Sequence, residues 1–338
     1  MYASAEEVCS MWDKNILKKQ KKKVSKLGSY RLPPHLARNH REISTHDFDK
    51  LWESIERHYY TGWRSEQNYS AEMFEKEKND NLFVRLEIDR FKIVPWLDDA
   101  RRVKDATILE IGCGTGAATV ALAEQCAHVV GLDIDDGALA AARDRCRIYG
   151  VSAEFRNLNA TEMAGVFKDI RFDFIIFFAS LEHMKIAERI HAIKNAWDML
   201  PEGALLVIVE TPNRLWYFDG HTAMLPFFHW LPDELAFRYS LFSERENYSE
   251  LYRDYDDEQS REHFLRQGRG VSYHEFELAI RPANELKVVS SLYSFEKRHY
   301  KMRHSRTGEQ FKALLHSIKS DIHDGFFDKS LDLIIAKT

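Results

Sequence analysis

Apolar positions along the chain follow two spacings, and the change from one to the other marks the elements. From Asp80 the steps are three and four residues: Phe83, Leu86, Ile93, Val94 and Leu97 make one stripe of a helix. Arg90 falls on the same stripe, where a guanidinium either snorkels to the surface or points into a site holding an anion. Short apolar runs then alternate with helical stretches. Residues 107–111, 128–132, 153–158, 172–178 and 204–210 read as strands. Between them lie an alanine-rich helix through Cys126 and a helix marked by Leu139, Ala142, Cys146 and Tyr149, stopped by Gly150. A third, on Ile186, Ile190, Ile193, Trp197 and Leu200, closes at the Pro201-Glu202-Gly203 turn. Repeated strand and helix with apolar strands implies an α/β fold, a parallel sheet covered by helices on both faces.

The regular pattern breaks after Glu210. Residues 214–283 hold fifteen aromatic residues in seventy and include the acidic stretch 244–258. Residues 286–294 and 331–337 read as two further strands with a helical segment between them. An aromatic insertion above a sheet's carboxyl edge is the expected place for a substrate lid; extra core packing for a large domain is the plainer reading.

Composition narrows the class. The 338 residues are 44% hydrophobic and 30% charged, as in ordinary globular proteins, with a net charge of −5 that argues against a general nucleic-acid binder. The longest apolar stretches, 174–179 and 204–209, fall far short of the ~20 residues of a membrane span. No hydrophobic run with a small-residue cleavage site opens the chain, so no secretory signal is expected. Cys9, Cys113, Cys126 and Cys146 show no CxxC spacing and read as reduced thiols of a cytoplasmic protein. Lys14, Lys18, Lys19, Lys21, Lys22, Lys23 and Lys26 form a basic cluster. It is either a solvated face or a contact for a membrane surface or partner protein.

The glycine segment Gly112-Cys113-Gly114-Thr115-Gly116 carries the chemistry. Gly112, Gly114 and Ala117 satisfy the dinucleotide form G-x-G-x-x-G/A, and Asp133 follows Gly112 by 21 residues, near the ~20 expected of a ribose-binding carboxylate. Taken alone, the motif fits NAD as readily as another adenosine ligand. Glu110, two residues before Gly112, also satisfies E/D-x-G-x-G-x-G. Here the sequence resembles the class I S-adenosylmethionine-dependent methyltransferases. The stretches that carry the resemblance are ILEIGCGTGAATVALA, VVGLDID, FRNLNATEM, FDFIIFFASLEHM and LPEGALLVIVETPN, in that order over about residues 104–213.

The resemblance implies a doubly wound sheet of seven strands in the order 3-2-1-4-5-7-6, strand seven antiparallel. Residues 1–79 would be a helical, basic extension and 80–338 the methyltransferase domain, with 214–283 its substrate lid. S-adenosylmethionine would be the cofactor. Glu110 and the backbone at Gly112, Gly114 and Gly116 would hold its methionine part, whose ammonium and sulfonium suit a nearby carboxylate. Asp133 would take the ribose hydroxyls and Ile134 the adenine face. Asn159 would accept from the adenine amino group while the Ala160 amide donates to a ring nitrogen. Arg90 is the candidate for the methionine carboxylate, against a surface arginine.

Leu181-Glu182-His183-Met184 stands past strand four, where the acceptor must be aligned and water excluded. His183 is a candidate general base, or else a structural histidine of that loop. His221, in the aromatic segment after strand five, is the second candidate. The segment resembles methyltransferases of surface glycans or small metabolites, so O-methylation of a sugar-containing or small polar acceptor is expected. His221, His229, His274 and Glu275 follow no recognised metal-ligand spacing, and no metal is expected. Two rivals stand beside this reading: a nicotinamide-dependent dehydrogenase, and a non-catalytic scaffold with the methyltransferase fold.

Overall fold

A computed structural model describes residues 30, 32–61, 71–245, 248, 252, 254–302 and 305–338. The lysine cluster of the sequence lies outside the described residues. Helix α1 (Thr45–His58) is started by a capping box in which the Ser44 hydroxyl accepts from the Asp47 amide and the Asp47 carboxylate accepts from the Ser44 amide. Residues 71–100 form a long helix, α2, with two π-helical stretches at Asp80–Val84 and Asp89–Ile93. Each wide turn rotates the helix register, so different residues face the sheet before and after it.

Strand β1 (Thr107–Ile111) runs through the glycine loop into α3 (Ala117–Ala123). Strand β2 (His128–Asp133) leads to α4 (Asp136–Tyr149), begun by the Asp135 carboxylate accepting from Ala138 and ended at Gly150 in the left-handed conformation. Then come β3 (Glu154–Asn157), β4 (Phe174–Phe178), helix α5 (Ile186–Met199) and β5 (Leu205–Pro212). The sheet has the order β3-β2-β1-β4-β5-β7-β6. Its first five strands are parallel. β7 (Ser330–Ala336) runs antiparallel to both β5 and β6 (Lys287–Ser291), in register Leu205↔Ala336 through Pro212↔Ser330. The expected order and orientation are those observed.

β6 is shorter than the apolar pattern suggests. The Ser291 hydroxyl accepts from the Ser294 amide and starts a helix over residues 292–300, so the last three residues of the expected strand 286–294 are helical. β5 carries an irregularity between Ile208 and Thr211, and Glu210 inside it takes φ 56°, an unfavourable left-handed conformation for a residue with a Cβ.

Two apolar layers sandwich the sheet. One contains Trp197, Phe276 and Phe326; the other joins Leu51 and Ile55 of α1 with Trp96 of α2 and Val120 of α3. The insertion after β5 holds α6 (Asp233–Tyr239), α7 (Glu258–Leu265) and α8 (Tyr273–Ala279). It has a small core of its own, in which Phe237 stands 5.3 Å from Tyr252 and 5.2 Å from Phe264. Backbone bonds from Arg214 to Val271 (2.8 Å) and from Val271 to Pro212 (2.9 Å) tie its two ends at the sheet edge. Helices α9 (Leu292–Tyr300) and α10 (Arg306–Ile318) lie between β6 and β7. Among the described residues no helix is long and apolar enough to cross a membrane.

Candidate active site

A cleft of about 1480 Å³ opens at the carboxyl ends of β1, β2, β4 and β5, between the glycine loop and the insertion. In an open parallel sheet this is where a ligand sits. Gly112 takes φ 81° and donates to the Leu132 carbonyl at 2.8 Å; a Cβ there would come within 2.7 Å of Ser180 Cβ. Gly114 differs, because a Cβ would meet nothing within 4 Å. Its bare backbone faces the open cleft and can approach a ligand. Gly116 does not line the cleft: a Cβ would lie 2.9 Å from Ala142 Cβ, so it lets α3 close on α4.

Asp133 ends β2 with its carboxylate accepting from Gly114 N at 2.8 Å and Asp135 N at 3.0 Å. Burial raises its pKa above the ordinary carboxylate value. Glu110 is 1% exposed and accepts from the Thr119 hydroxyl at 2.6 Å. Burial, with the Asp133 charge adding, pushes it up to about 7. A desolvated carboxylate beside a glycine cradle is suited to a cationic ligand group, which would restore its ionised form. Ile134 is 68% exposed in the cleft and offers a flat apolar contact; Ala160 lines the same end. This donor and acceptor set fits S-adenosylmethionine.

Two expected contacts are placed differently. Asn159 lines the cleft, but its Oδ1 accepts from both the Thr161 amide (3.0 Å) and the Thr161 hydroxyl (2.8 Å). With both lone pairs engaged, the side chain offers N–H donors rather than an acceptor. Arg90 is not brought to the cleft. Its guanidinium donates to Glu124, to Glu87 at 2.8 Å and to the Arg41 carbonyl at 2.8 Å. The anion that the helical stripe called for is supplied by the protein's own carboxylates. Arg85, Asp89 and Lys92 of α2 line the cleft instead, at four- and three-residue steps that put them on one helix face. Glu210 and Asp332, also lining it, were hidden within strands.

His183 and His221 both line the cleft, with ring centroids 6.3 Å apart. His183 Nδ1 lies 2.7 Å from the Arg266 carbonyl, an acceptor only, so Nδ1 carries the proton. His221 Nδ1 lies 3.2 Å from the Thr222 hydroxyl, whose own proton goes to the Gly268 carbonyl at 2.6 Å. His221 is therefore also the Nδ1–H tautomer, and both rings keep the Nε2 lone pair free for a proton. Burial first, then the neighbouring His183, lowers the His221 pKa to about 4. His229 is buried at the back of the site with Nε2 3.3 Å from Asp219, whose carboxyl falls to about 2 with His229 and the Thr222 and His221 amides around it. His274 pairs with the Ser272 hydroxyl and Glu275 with Ser272 and Arg189, away from the cleft. Among the described residues no three His, Cys, Asp or Glu side chains group to hold a metal ion.

The strand order, the antiparallel seventh strand and the glycine loop facing a carboxylate at the end of β2 define a class I, Rossmann-like methyltransferase domain. Residues 108–203 match the family model described as a methyltransferase domain. The part of the chain that matches the methyltransferase family is thus the segment from β1 to the turn before β5. Over 121 residues the chain is 33% identical to the ubiquinone biosynthesis O-methyltransferase of Pseudomonas paraeruginosa, covering 36% of this chain and 50% of that protein. Its identity to the enzyme of the same name from Pseudomonas fluorescens is 32% over the same lengths. The chain thus spans about half the length of the curated relatives it matches. Among solved structures it is similar to the magnesium protoporphyrin IX methyltransferase of Synechocystis with bound S-adenosylmethionine. The identity is 18%, over 51% of this chain and 80% of that one, with a TM-score of 0.36.

Proposed function

We propose that the protein transfers a methyl group from S-adenosylmethionine to a hydroxyl oxygen of a sugar-containing or small polar acceptor. When bound, S-adenosylmethionine supplies a methyl group on an electrophilic sulfonium. The chain's own residues do the rest. Glu110, Gly112 and Gly114 hold the amino-acid part, and Arg85 takes the carboxylate role that the sequence suggested for Arg90. Asp133 turns its acceptor capacity to the ribose, while Ile134 and Ala160 pack the base. Residues 80–338 form the catalytic unit, the insertion 214–283 covers the acceptor, and residues 1–79 are an extension. Free thiols at Cys113, Cys126 and Cys146 support a reducing compartment such as the cytoplasm.

One observation carries the reading: two neighbouring imidazoles, each fixed by its Nδ1–H bond with Nε2 left to accept, at the mouth of the cleft. His221 is unprotonated at neutral pH and can take a proton without first losing one. The polar lining from Gln259 and Gln267 suits acceptor hydroxyls, and the O-methyltransferase names of the relatives support oxygen as the target. The test replaces His183 and His221 singly by Ala and measures turnover together with S-adenosylhomocysteine affinity by calorimetry. Loss of the base is expected to cut turnover ~10²–10⁴-fold with the affinity nearly unchanged. Full turnover in both variants would leave alignment and desolvation as the mechanism. Wild-type protein that ignores S-adenosylhomocysteine and saturates with NAD would overturn the function itself.

A further inference from the structure

Beneath the two histidines lies a carboxylate that does not itself line the cleft. Glu182, in the single turn that follows β4, is 0% exposed, and neither of its carboxylate oxygens accepts a hydrogen bond from any described group. A buried carboxylate left in this state is costly unless a donor reaches it. The ring of His183 stands against it, with Nε2 4.0 Å from Glu182 Oε1. We infer that Glu182 is a positioning residue for the base: its carboxylate is the counter-charge for the imidazolium formed when His183 takes the acceptor's proton. His183, and not His221, is then the stronger proton acceptor of the two. The inference rests on the methyltransferase reading above and says which histidine carries out its proton transfer.

The groups packed around Glu182 leave that place open. Arg189 of α5 acts on it electrostatically, but its guanidinium is taken up by the Met184 carbonyl at 2.8 Å, the Gly270 carbonyl at 3.1 Å and Glu275 at 3.4 Å. Burial, with Glu210 of β5 adding, raises the Glu182 pKa above the ordinary carboxylate value, and the charge of His183 works the other way. His183 already spends its Nδ1–H on the Arg266 carbonyl, so a second proton enters at Nε2, the atom on Glu182's side. The Arg266 guanidinium is itself held by Glu188 and Glu262. His221 is placed differently. Burial first, then His183, hold it at about 4, with Arg245 and His229 also opposing its protonation and Asp219 favouring it. That Asp219 carboxylate is engaged by His229 and by the His221 and Thr222 amides. In the reaction the acceptor oxygen bonds to the methyl carbon as the carbon–sulfur bond breaks, and the hydroxyl proton passes to His183 Nε2. Positive charge thus leaves the sulfonium and arrives on the imidazole 4.0 Å from a buried carboxylate, where the low dielectric strengthens the attraction.

The test reads the rings directly, by NMR titration of full-length protein carrying isotope-labelled histidine and saturated with S-adenosylhomocysteine. The His183 signal is the one missing from His183→Ala. Glu182→Gln is expected to move the His183 titration midpoint down by about one pH unit or more, as loss of an opposite charge at this range does, and to move His221 less. Glu182→Asp, which keeps the charge, should stay nearer the wild type. S-adenosylhomocysteine affinity within about twofold of wild type shows that the variants fold. A purely structural Glu182 would lower the unfolding midpoint and leave the His183 ring where it was, and that result would overturn the pairing. A His221 midpoint above that of His183 would overturn the choice of base. Should Glu182→Gln not fold, wild-type protein labelled at the glutamate carboxyls decides. A Glu182 signal that moves in the same pH step as the His183 ring supports the pair, and one that stays flat through that step overturns it. A wild-type protein that fails to bind S-adenosylhomocysteine would instead overturn the methyltransferase reading, so the two failures are distinguishable.

Discussion

Glu110 shows how one buried side chain links the cofactor site to stability. Its pKa is raised from 4.5 to about 7, with burial the main cause and Asp133 adding to it. A carboxyl that holds its proton more tightly when folded contributes stability below about pH 4.5, and loses it as pH rises through about 7. The shift corresponds to about 3 kcal/mol at most. Glu110→Gln keeps the acceptor for Thr119 but cannot ionise. The variant is expected to match the wild type near pH 4 and exceed it at pH 8, by urea unfolding at each pH. Parallel stability profiles would mean that Glu110 is solvated in the folded protein. Single residues were unevenly legible in sequence. Asp133 and Ile134 were readable because a strand end fixes which side chains reach the cleft. Arg90 was misplaced because it finds a partner inside the protein, Glu124, that spacing cannot reveal.

At the level of elements, close approach is governed by glycine. A Cβ on Gly137, in the first turn of α4, would lie 2.1 Å from the His58 carbonyl oxygen at the end of α1. Backbone cannot yield as a flexible side chain can. Gly137→Ala is therefore expected to push α1 off α4 and to destabilise the protein by roughly 1–3 kcal/mol in denaturant unfolding. A wild-type midpoint would show that α1 does not pack there. The five parallel strands were legible to within two residues at each end, since buried parallel strands are plain apolar runs, whereas α2 was legible only as a helix. Arg85, Asp89 and Lys92 stand at four- and three-residue steps on the face that lines the cleft, yet charged residues on a helix read first as a solvated face. Ser291 ended β6 early by capping α9, a signal that the apolar pattern overran.

Across the whole molecule, the insertion is held over the β4 end by charge as well as by its core. Arg266 makes a two-pronged contact with Glu188 at 2.8 and 2.9 Å, a third with Glu262 at 3.2 Å, and presents its carbonyl to His183. Arg266 is 39% exposed in this pairing, so its share of global stability is small, about 0–1 kcal/mol. Its effect is local. Arg266→Ala is expected to leave the unfolding midpoint nearly unchanged while amide hydrogen exchange across residues 258–271 speeds up. Unaltered protection there would mean that the small aromatic core alone seats the insertion. The position of this insertion was readable from its aromatic density; its latch was not, because ion pairs between distant segments leave no periodic trace.

The antiparallel seventh strand also sets an order for making the protein. β5 lies between β4 and β7, and its partner in the pairing Leu205↔Ala336 comes more than a hundred residues later. Until residues 330–336 leave the ribosome, the edge of β5 has no strand to bond, and one side of Ile208 and Val207 stays uncovered. Closing so long a loop is slow, and contacts of this span delay folding. A nascent chain halted before residue 330 would hold β1 to β5 with an open apolar edge, the state in which it is most exposed to chaperones or to pairing with another chain.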